Sequence, residues 1–274
     1  MTLENPETQF LVRENGARIA YYYTPGTTPG VMFLTGFKSD MTGGKALVLE
    51  EHCRQQGRAF LRFDYQGHGE SSGKFEDGCI GQWTDDAIIA FDEITEGPQI
   101  LVGSSMGGWI MLLTALKRKE RIAGLLGLAA APDFTEDLVW DAFDDAQRLA
   151  MVRDGRVEIP NCYDDEPYHI SQMLIDDGRN QLLLRDAIDL DVPVRLIQGM
   201  QDEDVPWETA LKLAECLETG DVEVQLVKDS GHRLSEPHDL VRLCQTLDSL
   251  IAHIACGGIQ DANSSAHRAA RPSR

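Results

Sequence analysis

The sequence predicts an α/β fold: a mostly parallel central sheet flanked by helices, with a small helical lid inserted. Three observations carry this. Short apolar runs alternate with longer segments of helical period; the runs are apolar throughout; and the alternation breaks once, over residues 133–190, before resuming. Strands buried on both faces read as unbroken apolar runs, as a parallel sheet beneath helices requires.

Residues 10–12 and 19–23 flank the turn sequence Glu14-Asn15-Gly16 and predict an opening hairpin. VMFLTGF, after Gly30, reads as a buried strand ending at Gly36. Residues 43–56 have helical spacing, and Gly57 suits the left-handed position that closes a helix. A strand at 59–63 follows, then a glycine-rich loop and a helix over 83–94, starting at Thr84 or a neighbour. Next come a strand at 100–102, a helix at 106–117 and a strand at 123–128. The rhythm returns with a strand at 194–198, a helix at 207–217, a strand at 222–227 and a last helix from 237 to about 254.

The interruption contains two amphipathic segments, 136–151 and 168–184, joined by RDGRVEIPNCYDDEP. An insertion with its own helices between two sheet strands predicts a lid, with Leu138, Trp140, Met173 and Leu174 as apolar candidates for its pocket side. From Gly257 the chain is small, polar and aperiodic, which predicts a disordered tail. The expected organisation is core 1–132, lid 133–190, core 191–256 and tail 257–274, without internal repeats.

The formal charge of −20 over 274 residues disfavours nucleic acid and anionic membranes as partners, since both are polyanions. No stretch approaches the length needed to span a bilayer, so no stable membrane insertion is expected. MTLENPETQF has neither a basic start nor an apolar run, and the first arginine is Arg13; the expectation is a cytoplasmic protein. Six cysteines stand at 53, 79, 162, 216, 244 and 256, without CxxC or clustering with histidine. That is no zinc pattern, and buried free thiols are expected.

Gly103-Ser104-Ser105-Met106-Gly107 lies between an apolar strand and a helix, the context of a nucleophile elbow. Such a sharp reversal strains the backbone of Ser105 and lifts its Oγ clear of the sheet. The glycines two before and two after leave room where side chains would collide with the neighbouring strand and helix. Met106 contributes a backbone N–H at the helix N-terminus, where donors are unpaired and negative charge is favoured. Ser104 lacks the glycine frame and is read as structural.

A serine needs a base, and the base an orienting acid. LIQGMQDEDVP offers Asp202, Glu203 and Asp204 after one strand; LVKDSGHRLSE offers His232 after the last. Loops at the carboxyl ends of parallel strands share one rim, so Ser105, an acid and His232 can meet there. The other histidines fit less well: His52, His238 and His253 fall in helices, His267 in the tail, His169 in the lid and His68 upstream of the serine. Asp202 is favoured as the acid, because Val205-Pro206 opens the next helix; Asp133, at another strand end, competes with it. The Phe37 N–H, beside Gly36, is the candidate second donor for an oxyanion. The loop Asp64–Ser71 lacks the lysine of a P-loop and the spacing of a dinucleotide fingerprint, and reads as loop structure near the site. Trp109 and Trp207 read as core or pocket wall.

LTGFKSDMTGGKA, RFDYQGHGESSG, GPQILVGSSMGGWIML, VPVRLIQGMQDEDVPW and the HR after the last strand resemble the alpha/beta-hydrolase superfamily. Within it the run of motifs is similar to the family of alpha/beta-hydrolase domain-containing protein 10, over roughly residues 31–254. The resemblance implies an alpha/beta-hydrolase fold and a serine hydrolase acting on esters and thioesters without metal or organic cofactor. It implies small-molecule or acylated-protein substrates, including palmitoylated cysteines and acyl-glucuronides. It also implies Ser105 as nucleophile, Asp202 as acid, His232 as base, and Phe37 and Met106 as oxyanion donors. The family's animal members are mitochondrial, against the compartment read from this N-terminus. The rival readings are C–C bond hydrolysis or acyl transfer on the same triad, and a binding protein that has lost a triad member; none is lost here.

Overall fold

The structure, a computed structural model, describes residues 7–159 and 167–269, with side chains as far as residue 257. β1 (Gln9–Val12) and β2 (Arg18–Thr24) form the opening hairpin, its turn closed by Gly16 at φ +82°. Six further strands join them: β3 (Thr27–Leu34), β4 (Arg58–Phe63), β5 (Gln99–Ser104), β6 (Ile122–Leu128), β9 (Val194–Gly199) and β10 (Val222–Val227). The order across this eight-stranded sheet is β1-β2-β4-β3-β5-β6-β9-β10. β1–β2 and β2–β4 pair antiparallel; every other pairing is parallel.

Period-two burial divides the strands between two cores. Met32, Leu34, Leu61, Phe63 and Leu101 point to one face, and Val31, Phe33, Phe60, Ile100 and Val102 to the other. The first face packs α2 (Ile80–Ile94), α3 (Met106–Lys117) and α6 (Glu208–Cys216); the second packs α1 (Gly44–Gln55) and α7 (Pro237–Ala269). Apolar runs without alternation are the sequence trace of this double covering. α3 is apolar nearly all round because it is buried nearly all round, from Met106 to Ala115.

Several bounds shift. α2 begins at Ile80, and Thr84 lies inside it, its hydroxyl donating to the Ile80 carbonyl at 2.8 Å rather than capping the helix. α7 runs past residue 254 to Ala269; the expected disordered tail falls largely on residues 258–274, whose side chains, and for 270–274 whose backbone, lie outside the described residues. Of the cysteines expected to be buried, Cys53 is; Cys79, Cys216 and Cys244 are half-buried, Cys256 is exposed, and Cys162 lies outside the described residues.

The insertion departs most from expectation. The segment 136–151 is two elements, a π-helical turn (Thr135–Trp140) and α4 (Asp145–Asp154). The break is a capping box: the Asp144 carboxylate accepts from Gln147 N–H at 2.7 Å, and the Gln147 side chain accepts from Asp144 N–H at 2.9 Å. The second segment opens as a strand, β8 (Tyr168–Ser171), paired antiparallel with β7 (Arg156–Ile159) in a separate two-stranded sheet; only then does α5 (Gln172–Arg179) begin. Among the apolar candidates, Leu174 is core, Met173 is exposed, and the Trp140 ring lies under the guanidinium groups of Arg148 and Arg179. No helix among the described residues is long and apolar enough to cross a membrane.

Candidate active site

β5 is central in the sheet and ends directly in Ser105, whose backbone is left-handed at φ +54°, ψ −121°. A non-glycine residue holds that conformation only when its surroundings impose it. Here Ser105 N–H donates to the Leu128 carbonyl at 2.9 Å, and the Ser105 carbonyl accepts from Gly108 N–H at 2.8 Å and Ala131 N–H at 3.1 Å. A Cβ on Gly107 would lie 2.1 Å from the Leu34 carbonyl oxygen, and one on Gly103 would lie 2.4 Å from that of Gly107. Backbone crowds both positions, so the close packing of β3, β5 and α3 depends on these glycines. Ser104 is buried as the last residue of β5.

The ends of β9 and β10 deliver the partners. His232 Nε2 is 3.0 Å from Ser105 Oγ, and its Nδ1 is 2.9 Å from Asp202 Oδ2. The Asp202 side chain is fully buried; Gln198 Nε2 donates to Oδ2 at 2.8 Å, and the Val205 and Asp204 N–H groups donate to Oδ1 at 2.8 and 3.0 Å. Burial works to raise the Asp202 pKa, but the hydrogen bond and charge of His232, with Val205 and Gln198, outweigh it and hold the carboxyl below its ordinary range. The loop carrying His232 is tied on both sides: Ser230 Oγ donates to Asp239 at 2.6 Å, and Lys45 Nζ donates to the Arg233 carbonyl.

The rival acid has another use. Asp133, fully buried with φ +61°, accepts from Leu183 N–H at 2.7 Å, Leu184 N–H at 2.8 Å and Arg185 at 3.3 Å. It fastens the start of the insertion to its end. Among the other histidines, His52, His253 and His169 pair with Asp248, Asp221 and Glu158, and His238 with Asp239; the side chain of His267 lies outside those described.

The loop after β3 runs beside the serine: a Cβ on Gly36 would come within 3.5 Å of the Ser105 Cβ, an ordinary contact, so closeness alone does not demand glycine there. Phe37 follows Gly36 in this loop, and Met106, directly after Ser105, takes the first position of α3. Among the described residues, neither amide has a hydrogen-bond acceptor. An amide without an acceptor is a donor that a developing alkoxide can use.

Sequence reasoning missed the ring cluster around Phe37. Its side chain makes edge contacts with Phe75, Phe134, Tyr168 and Trp83, at centroid distances of 4.8, 5.6, 5.6 and 6.0 Å. Gln198 was missed too; its only signal was a polar residue closing an apolar strand. In the Asp64–Ser71 loop, Asp64 accepts from Glu70 N–H within the loop at 2.9 Å and from Met41 N–H outside it at 2.7 Å. Trp109 is core, its Nε1 donating to the Gln181 carbonyl at 3.0 Å, and Trp207 precedes α6. A polar cavity of about 560 Å³, lined by residues including Arg13, Gln66, Lys117 and Gln181, shares no residue with the Ser105 relay. Asp202, Asp204 and His232 each bring a ligand-type atom within 4.8 Å of the others, but a cation there would compete with the His232–Asp202 hydrogen bond.

The family model described as serine aminopeptidase, S33, matches residues 31–156. The palmitoyl-protein thioesterase ABHD10, mitochondrial, of Rattus norvegicus is 40% identical over 243 residues, covering 88% of this chain and 82% of the relative. The chain belongs to the family of alpha/beta-hydrolase domain-containing protein 10. It is an alpha/beta hydrolase. The solved mouse member superposes with a TM-score of 0.85 at 37% identity, over 91% of this chain and all of that one. A chain from Agrobacterium vitis S4, also 37% identical, gives 0.86 over 90% of this chain and 100% of its own. The family assignment corrects the expected compartment: the rat, mouse and human relatives are mitochondrial by name, which overturns the cytoplasmic reading.

Proposed function

We propose that this family member is a serine hydrolase that cleaves carboxylic esters or thioesters through Ser105, His232 and Asp202. The observation that carries the reading is the unbroken relay from Ser105 Oγ through both ring nitrogens of His232 to buried Asp202, set on a left-handed elbow. His232 takes the hydroxyl proton as Ser105 Oγ attacks the acyl carbon, and Asp202 holds the imidazole's orientation and stabilises the imidazolium. The Phe37 and Met106 N–H groups bind the oxyanion. Collapse breaks the bond to the leaving alcohol or thiol, which takes its proton from His232. Water, deprotonated by His232, then attacks the acyl-enzyme and releases the carboxylic acid, restoring Ser105.

S-acylated protein cysteines are the leading substrate class, in keeping with the thioesterase name of the relatives, and acyl-glucuronides the second. The insertion 133–190 serves as a lid: its Phe134 and Tyr168 rings reach the Phe37 loop, so it borders the space above the serine. A fluorophosphonate probe is expected to label the wild type and not Ser105→Ala; undiminished labelling of the variant would remove Ser105 from its role. A panel of p-nitrophenyl esters and acyl-thioesters across chain lengths then separates the chemistries. Near-background rates throughout would favour C–C bond hydrolysis or acyl transfer instead.

A further inference from the structure

Phe37 has two jobs that the fold couples. Its N–H, next in the chain to Gly36, whose Cβ would stand 3.5 Å from that of Ser105, is the proposed oxyanion donor, while its ring is the hub of the aromatic cluster, touching Phe75 and Trp83 from the body and Phe134 and Tyr168 from the insertion. The next residue, Lys38, is left-handed at φ +56°, so the loop is held in a conformation that a lysine does not favour by itself. Lys38 Nζ also lies 5.8 Å from the centre of the Tyr168 ring. Tyr168 thus meets two consecutive residues of the loop, one by ring edge and one by charge. It begins β8, in a two-stranded sheet that no other strand extends among the described residues and that docks by burying Val157 and Ile170. Such a hairpin keeps its place only through what it packs against.

We infer that Tyr168 is a positioning residue: packed on Phe37 and Lys38, it fixes the Phe37 N–H toward the oxyanion, so that the insertion sets transition-state stabilisation as well as covering the site. The inference rests on the serine-hydrolase reading above. It differs from a role as acyl-pocket wall in one measurable respect. A wall acts through the acyl chain and shows in KM for long substrates. A displaced oxyanion donor lowers kcat for every substrate, including one whose acyl group is too short to reach the wall.

The test compares p-nitrophenyl acetate with p-nitrophenyl octanoate. Removing an oxyanion donor costs about 10²–10³ in kcat, and loosening one costs less, so Tyr168→Ala is expected to lower kcat about tenfold on both esters. KM for the acetate should stay within about twofold, and affinity for butylboronic acid, whose serine adduct places an oxygen in the oxyanion position, should fall about as much as kcat. Tyr168→Phe keeps the ring and should restore both. A loss confined to KM for the octanoate, with the acetate unchanged, would overturn the inference. If circular dichroism shows Tyr168→Ala unfolded, Tyr168→Leu, which keeps bulk but no ring, is measured instead under the same expectations. Wild-type enzyme that neither labels with fluorophosphonate nor hydrolyses either ester would instead sink the underlying reading, before any variant is compared.

Discussion

Asp202 and Asp133 show how the same residue type at two strand ends comes to different uses. Both side chains are fully buried, and burial pushes both pKa values up. At Asp202 the His232 partnership reverses the direction. At Asp133 burial prevails over the Leu183 and Leu184 N–H groups and Arg185, and the pKa stays raised. Asp202→Asn leaves an amide that disfavours the tautomer with Nδ1–H facing residue 202, and we expect kcat to fall by about 10⁴ with folding intact. Asp133→Asn points amide hydrogens at N–H donors that need an acceptor, costing about 1–3 kcal/mol of stability. Thermal unfolding and ester turnover on the two variants check both outcomes. Near-full turnover in Asp202→Asn with turnover lost in a folded Asp133→Asn would transfer the acid role to Asp133.

The elbow is a property of three elements together. A methyl group on Gly107 would meet the carbonyls of Leu34, at the end of β3, and Thr35, just after it, at 2.1 and 2.5 Å, and backbone at the end of a central strand cannot yield as a side-chain tip does. On Gly36 the nearest atom would be 3.4 Å away. We therefore expect Gly107→Ala to lose about 3 kcal/mol or more, or to fail to fold, while Gly36→Ala melts close to the wild type. Equal melting temperatures for the two would show that the crowding is relieved elsewhere. The central strands were legible because burial on both faces leaves largely apolar runs, and Ser105 and Asp202 follow two of them; His232 follows the half-exposed edge strand β10, whose VEVQLV alternates. The insertion was not legible, for physical reasons. β8 is four residues long, too short for alternation to compete with a helical period continuing into α5. The Asp144–Gln147 box was a readable start signal passed over. The Phe37 cluster has no sequence period, because its rings come from four separated segments that only the fold assembles.

Across the whole molecule, acid pH sets two effects against each other. With a formal charge of −20, protonating surface carboxylates relieves self-repulsion and favours the compact state. His68 works the other way. It is 4% exposed, packed edge-on against Tyr65, Phe75 and Trp83, with Nδ1 3.3 Å from the Gln66 carbonyl and Nε2 without a partner among the described residues. Burial lowers its pKa from 6.5 to about 4, against the opposing pull of the Gln66 carbonyl and Asp40. The folded pKa lies below the unfolded one, so the stabilising contribution is complete above about 6.5 and is lost as pH falls through about 4. Between those values the unfolded chain takes up a proton that the folded chain refuses. At pH 5 this amounts to about 2 kcal/mol, and in the limit to about 3 kcal/mol. The direct check is urea unfolding of wild type and His68→Gln at pH 7.5 and pH 5. Subtracting the variant cancels the surface-charge effect, so the stability of the wild type relative to His68→Gln should fall by about 2 kcal/mol across that interval. A constant difference would mean that His68 titrates alike in the folded and unfolded chains.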